Sequence, residues 1–321
     1  MVLTFFREAK KILKEDGSAV LMVVTDHSGS SPGRRGFHML ASKNQMTGTI
    51  GGGIMEHKLV ELSKSLLERA PFDPFLKHQK HQSEASSNKS GMICSGEQTI
   101  AFYYLDSEDL NWMEKIDGRE ELLITYNHSG INLSREFAKQ SEFTPGEKPE
   151  KWKLTVPVNL QSRVYVIGGG HVGLALCDIL STLDFEIHLL DNRSGLNTFE
   201  ENPYAHFKKI VRYEEIDRHI PEGNHVYVVI ISFGYRTDKV VTKRLLGKHF
   251  RYIGMMGSVR KIEVLWRELL EEGHPQSDLD KIVAPIGLDI KSETTSEIGI
   301  SIAAQLILYK NAKEGMRKRY G

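Results

Sequence analysis

The sequence predicts an α/β protein: an N-terminal α/β domain followed by a C-terminal doubly wound domain of Rossmann type. Three observations predict it. A chain of 321 residues fits two domains at roughly 100–200 residues each. Beyond residue 160, short Val/Ile-rich strands alternate with helical patterns, the order expected of a parallel sheet. The strand RVYVI runs directly into Gly168, Gly170 and Gly173, a G-x-G-x-x-G turn that opens an apolar helix.

Taken in order, Leu3, Phe6, Ala9 and Leu13 recur at helical spacing among charges, so the first residues form an amphipathic helix closed by Gly17, not a signal peptide. Residues 19–27 read as a buried strand, Ser28 to Gly36 as a Ser/Pro/Gly/Arg loop, and FHMLA as a short strand. GTIGGG is a tight glycine turn, and 54–70 is a helix with Leu59, Leu62, Leu66 and Leu67 on one face. Residues 71–92 are polar and suggest a mobile loop, followed by strands over 98–105 and 120–126. The stretch KQSEFTPGEKPEKWK is charged, carries two prolines and lacks apolar periodicity. It places a linker over 141–160, between an N-terminal domain of 1–140 and a Rossmann domain of 161–321. In that second half EIHLLD and HVYVVIIS are further strands, and helices fall over 237–248, 259–272 and 293–310.

Lys plus Arg balance Asp plus Glu at 42 each, which gives no support to a nucleic-acid or anionic-membrane partner. No segment reaches the roughly 18–20 continuous apolar residues of a membrane span. Two cysteines, Cys94 and Cys177, make no disulfide framework. A cytoplasmic home is the expectation.

The glycine turn carries the most specific chemistry. Gly168 permits the bend, Gly170 lets a phosphate approach the backbone, and Gly173 lets helix and strand pack closely. The helix N-terminus offers N–H groups and a positive dipole end to a pyrophosphate. Asp191 ends the next strand near the ~20-residue spacing of an acid that holds a ribose hydroxyl; Arg193, two residues on, could instead favour an adenosine phosphate. Dinucleotide binding does not imply hydride transfer, and no proton donor stands out. In the first half, Ser31, Arg34 and Arg35 offer hydroxyl and guanidinium groups suited to phosphate or carboxylate. Gly51, Gly52 and Gly53 would let a ligand lie against bare backbone. Glu56 is a general acid/base candidate or simply a complement to the helix dipole. Gly254 and Gly257 suggest a second glycine turn at a strand end, with Arg260 and Lys261 able to pair with phosphate. Cys94 is either a small buried hydrophobe or a thiolate for a soft metal, Cys177 belongs to the core, and His78 with His81 lacks a third zinc ligand nearby. Thr294 or Thr295 caps the last helix, with Glu297 as the reach-back partner if Thr294 is the cap.

Several of these stretches resemble the XdhC/CoxI family of accessory proteins of molybdenum hydroxylases. GSSPGRRGFHML, GTIGGGIMEHK and CSGEQTIAFYYL are similar to its N-terminal motifs. VYVIGGGHVGLALCDIL, FRYIGMMGSVRK and APIGLDIKSETTSEIGISIAAQLI are similar to its Rossmann domain. The resemblance covers most of the chain in the right order. It implies a maturation factor that binds molybdenum cofactor (molybdopterin), protects it during sulfuration and helps insert it into a xanthine-dehydrogenase-type apoenzyme, with a sulfur donor as a second partner. It also implies that Cys94 touches molybdenum or carries sulfur. The family's glycine turn usually continues into Cys; here that position is Ile54. A His-containing stretch common after the fourth strand is replaced by Ser232–Asp238 without histidine. The alternatives are an NAD(P)-dependent oxidoreductase and an NAD-sensing regulatory module. Homo-oligomerisation stays open.

Overall fold

The computed structural model describes residues 2–29, 31–81, 96–136, 138, 140–146, 151–158 and 160–312. Two compact units emerge, Met1–Leu160 and Gln161–Gly321.

In the first unit α1 (Val2–Asp16) buries Leu3, Phe6, Ala9 and Leu13, and ends at Gly17 with φ of 77°. Five antiparallel strands follow the order β3 (Met46–Gly48), β2 (His38–Ala41), β1 (Ser18–Gly29), β5 (Gly96–Asp106), β4 (Phe75–His81). The central strand β1 reads as a continuous apolar run because both of its faces are covered. Val20, Met22 and Val24 pack with Leu59 of α2 (Gly53–Leu67). Leu21 and Val23 pack with α1 and with a second antiparallel sheet. After α3 (Leu110–Met113) that sheet runs β7 (Gly130–Ser134), β6 (Leu122–Asn127), β9 (Trp152–Val158), β8 (Glu142–Pro145). Between the two layers His38 meets the Tyr126 hydroxyl at 2.7 Å. Burial pushes the His38 imidazole down to about 3, so it is neutral.

Two expectations change here. Residues 75–81, within the expected loop, form the edge strand β4, because Phe75 stacks on Phe102 with ring centroids 5.0 Å apart; of that loop, 82–92 lies outside the described residues. The expected linker contains β8 and β9, and the boundary between units falls at Leu160. Trp152, Leu154, Val156 and Val158 alternate inward at period two, a pattern masked by the neighbouring charges and prolines.

The second unit is a parallel sheet in the order β12 (Phe207–Ile210), β11 (Glu186–Asp191), β10 (Arg163–Ile167), β13 (Gly223–Ile230), β14 (Phe250–Met255). A single parallel bridge from Gly254 to Val283 extends the edge beyond β14. The order reverses between β10 and β13, and in such sheets ligands bind at that switch point, beyond the strands' carboxyl ends. One face packs against α6 (Tyr235–Leu245) and α7 (Val259–Glu271) through Val241, Leu245, Ile262 and Leu265. The other packs against α4 (His171–Ser181) and α9 (Thr295–Asn311) through Leu176, Leu180, Ile302 and Leu306. Fully burying each such side chain contributes roughly 1.5–3 kcal/mol. Short helices α5 (Asn197–Glu200) and α8 (Gln276–Leu279) complete the unit. The predicted capping box of α9 is formed by Thr294 and Glu297.

Candidate functional site

Three sequence motifs of the first unit converge. Ser31 is buried and donates to Gln98 Oε1 at 3.1 Å, and Gln98 in turn donates to Gln79 Oε1 at 2.9 Å. A Cβ at Gly33 would collide with Gln98 and with the Ile50 carbonyl, and one at Gly51 would lie 2.7 Å from the Gly33 nitrogen. The 31–36 loop and the 49–53 turn are thus packed backbone to backbone, which is why glycine occupies these positions.

The two arginines of the loop bond to protein groups, Arg34 from an exposed position and Arg35 from a partly buried one. Arg34 Nη1 donates to the carbonyls of Ser31 and Gly33. Arg35 Nη2 pairs with Asp26 at 2.5 Å, and its Nε is buried without a partner among the described residues. Glu56 Oε2 accepts from the Thr49 hydroxyl at 2.8 Å and from the N–H groups of Ile50 and Gly52 at 3.0 and 2.9 Å. It braces the glycine turn at the start of α2, where an acidic side chain complements the helix N-terminus. A Cβ added at Gly52 would meet none of the described residues within 4 Å. Gly53 opens α2 at φ 76°.

The second unit's turn differs. Gly168 has φ of 124°, and a Cβ there would collide with the Ile231 carbonyl across the switch point. A Cβ at Gly173 would collide with the Gly168 carbonyl. At Gly170, by contrast, an added Cβ would meet none of the described residues within 4 Å, and this residue is the N-cap of α4 with no side-chain cap. The first turn of α4 holds no acidic residue, so its positive end is uncompensated. His171, on that turn, is exposed.

Asp191 is fully buried at the end of β11 and accepts from the Gly169 N–H at 2.7 Å. Arg193 grips it through Nε at 2.9 Å and Nη2 at 2.8 Å. Burial alone would raise the Asp191 carboxyl, but the bonds from Arg193 and Gly169 hold it below the usual range, so it is ionised. Arg193 also lies over the Phe233 ring, 5.3 Å from its centroid.

At the ends of β13 and β14 lies a network that the sequence does not reveal. Asp238, 1% exposed, accepts from the Ser232 hydroxyl at 2.5 Å and pairs with Lys261. Burial raises the Asp238 carboxyl despite both partners. Lys261, expected to meet phosphate, is thereby held to a carboxylate. Gly254 lies inside β14, where the missing Cβ makes room for the Tyr252 hydroxyl and Ile286, in place of the expected ligand turn. Gly257 precedes the Ser258 cap of α7, and a Cβ there would lie 3.2 Å from Lys261 Cδ. Cys177 is core, its thiol pushed up to about 11 by burial. His78 bonds Thr99 at 3.1 Å and pairs with Glu97. Among the described residues no group of three or more His, Cys, Asp or Glu could hold a metal; Cys94 lies outside them. No helix of the described residues is long and apolar enough to cross a membrane.

Fold and turn together define a two-unit protein whose second unit is a Rossmann domain, with a glycine turn of dinucleotide-site geometry at the switch point. Residues 12–72 match the model of the XdhC and CoxI family, and residues 164–306 match that of the XdhC Rossmann domain. The chain belongs to the XdhC and CoxI family. It is 22% identical over 318 residues to YqeB, an uncharacterized protein of Escherichia coli (strain K12), covering 98% of this chain and 47% of that one. It is 25% identical over 145 residues to a probable xanthine dehydrogenase subunit of Bacillus subtilis (strain 168), covering 45% of this chain and 42% of that one. The chain therefore spans less than half the length of these curated relatives. A solved structure of a xanthine dehydrogenase from Bacillus halodurans shares the fold, with a TM-score of 0.78 at 21% identity over 97% of both chains.

Proposed function

We propose that the chain is a maturation factor for a xanthine-dehydrogenase-type molybdenum hydroxylase, and that its second unit holds a phosphate-bearing cofactor on the Gly168–Gly173 turn. One observation carries the binding reading. Gly170 leaves open space at the uncapped, acid-free N-terminus of α4, the arrangement that favours an anion close to the backbone. Family membership and the xanthine dehydrogenase name of the Bacillus subtilis relative support the choice of client.

The cofactor we propose is the molybdenum cofactor, whose phosphate or dinucleotide end fits the α4 turn. When bound, it would supply the molybdenum–sulfur centre that the client enzyme uses. The N–H groups of Gly170, His171 and Val172 would orient its phosphate, and Gly168 would keep the turn tight against Ile231. Among the described residues of the first unit no group of three or more His, Cys, Asp or Glu could hold a metal, and the candidate thiol of Cys94 lies outside them. No step is assigned to the metal there. A sulfur donor is the further partner this reading requires. A second reading, an NAD(P)-binding regulatory module, is favoured by the Asp191–Arg193 pair at the ribose position.

The test is anaerobic addition of purified molybdenum cofactor, and separately of NADH and NADPH, followed by gel filtration and fluorescence of the protein peak. Coelution of pterin, lost in Gly170→Asp, supports the maturation reading. Retention of a nicotinamide nucleotide alone supports the regulatory one. A protein peak that retains neither removes the glycine turn as a binding site.

A further inference from the structure

We infer that Arg193 makes the second unit select an adenosine nucleotide with a phosphate on its ribose, so that NADPH binds in preference to NADH. The inference rests on the reading of the glycine turn as a dinucleotide site. In sites that take the unphosphorylated coenzyme, an acid at the end of the second strand accepts from the ribose 2′-hydroxyl. Asp191 stands in that place but has no acceptor left to offer. Its Oδ1 accepts from the Arg193 N–H and Nε, both at 2.9 Å. Its Oδ2 accepts from the Gly169 N–H at 2.7 Å and from Arg193 Nη2 at 2.8 Å. A carboxylate has about four lone-pair sites, and these four bonds fill them. The side chain is also wholly buried.

What faces outward at the ribose position is the guanidinium. The Arg193 side chain is 35% exposed, and only its Nε and Nη2 are bonded to protein groups among the described residues. A planar cation of this kind matches a phosphate far better than a hydroxyl. It is already held in place: the Asp191 fork fixes one edge, and Phe233 supports one face, so little side-chain freedom is lost on binding. Phe233 is a second, separate sign of a ligand. It follows β13 at the switch point and leaves an aromatic ring 77% exposed, a flat apolar surface of the kind a purine stacks on.

The experiment is titration of the full chain with NADPH and NADH, followed by nucleotide fluorescence. We expect NADPH to bind at least about ten-fold more tightly, the yield of one charge-assisted hydrogen bond. Displacement by 2′,5′-ADP but not by 5′-AMP assigns the preference to the ribose phosphate. Arg193→Gln should abolish the preference for NADPH over NADH, with a thermal melt of the variant as the separate check that it folds. Phe233→Ala should weaken both coenzymes, NADPH the more, because the ring also supports Arg193. NADH binding as tightly as NADPH, with both lost in Gly170→Asp, overturns the inference and leaves the dinucleotide site standing. Retention of neither coenzyme overturns the inference, and if molybdenum cofactor is retained on the same turn, the maturation reading survives it.

Discussion

Two glycine turns, one in each unit, open helices without a side-chain cap, and they reach opposite electrostatic states. At Gly51–Gly53 the helix brings its own anion. Glu56 lies in the first turn of α2 and ties down the N–H groups of Ile50 and Gly52. At Gly168–Gly170 the bracing carboxylate is Asp191, which comes from the neighbouring strand, holds Gly169, and is itself neutralised by Arg193. The first turn of α4 is left without a negative charge. Glycine content alone therefore does not mark an anion site; what matters is where the nearest carboxylate is anchored and whether a cation cancels it.

The comparison can be broken most forcefully at Gly168. Gly168→Ala combines a positive φ with a collision against the Ile231 carbonyl, and should destabilise the second unit by about 3 kcal/mol, read as a lower melting temperature. Asp191→Asn should cost about 2 kcal/mol, because it weakens the hold on Gly169 and leaves Arg193 without its counter-charge. The wild-type pH dependence follows from the same pair. The Asp191 carboxyl is lower in the folded chain than the ordinary 3.8, so its contribution is complete above that value and is lost as pH falls below it. Thermal unfolding across that range should show a steeper loss in the wild type than in Asp191→Asn. Glu56→Gln sharpens the contrast, with an expected cost of about 1 kcal/mol to the first unit and no change in nucleotide retention by the second. Gly170→Ala is the smallest in stability, under about 0.5 kcal/mol, since nothing lies within 4 Å of the added methyl. Its effect should appear in ligand retention; unchanged retention would argue that no phosphate comes close to that backbone.

The parallel unit was legible because its central strands β10 and β13 are Val/Ile-rich and buried, and because the glycine turn stands between a strand and a helix. The second sheet of the first unit was not. Its strand Trp152–Val158 alternates lysine, threonine and proline with its apolar residues, and a proline at 157 mimics the signature of a linker. The roles of Gly168 and Gly173 followed from spacing alone. The engagement of Asp191 did not, since it depends on the chain turning so that a side chain two residues later folds back onto it. Likewise Lys261 has the composition of a phosphate ligand, and only the fold brings the buried Asp238 to it from a different helix.

The buried run from Ser31 through Gln98 to Gln79 has a direction. The serine hydroxyl gives a proton to one end of the Gln98 amide, and the other end gives one to Gln79. Gln98 is thus a polarity relay, acceptor on the loop side and donor on the strand side, and its carboxylate analogue could serve only one of those neighbours as Gln79 now stands. With glutamate at 98, Gln79 would have to reverse its amide to offer N–H in place of C=O, so the sense of hydrogen bonding at the edge strand β4 is written by the identity of one side chain on β5.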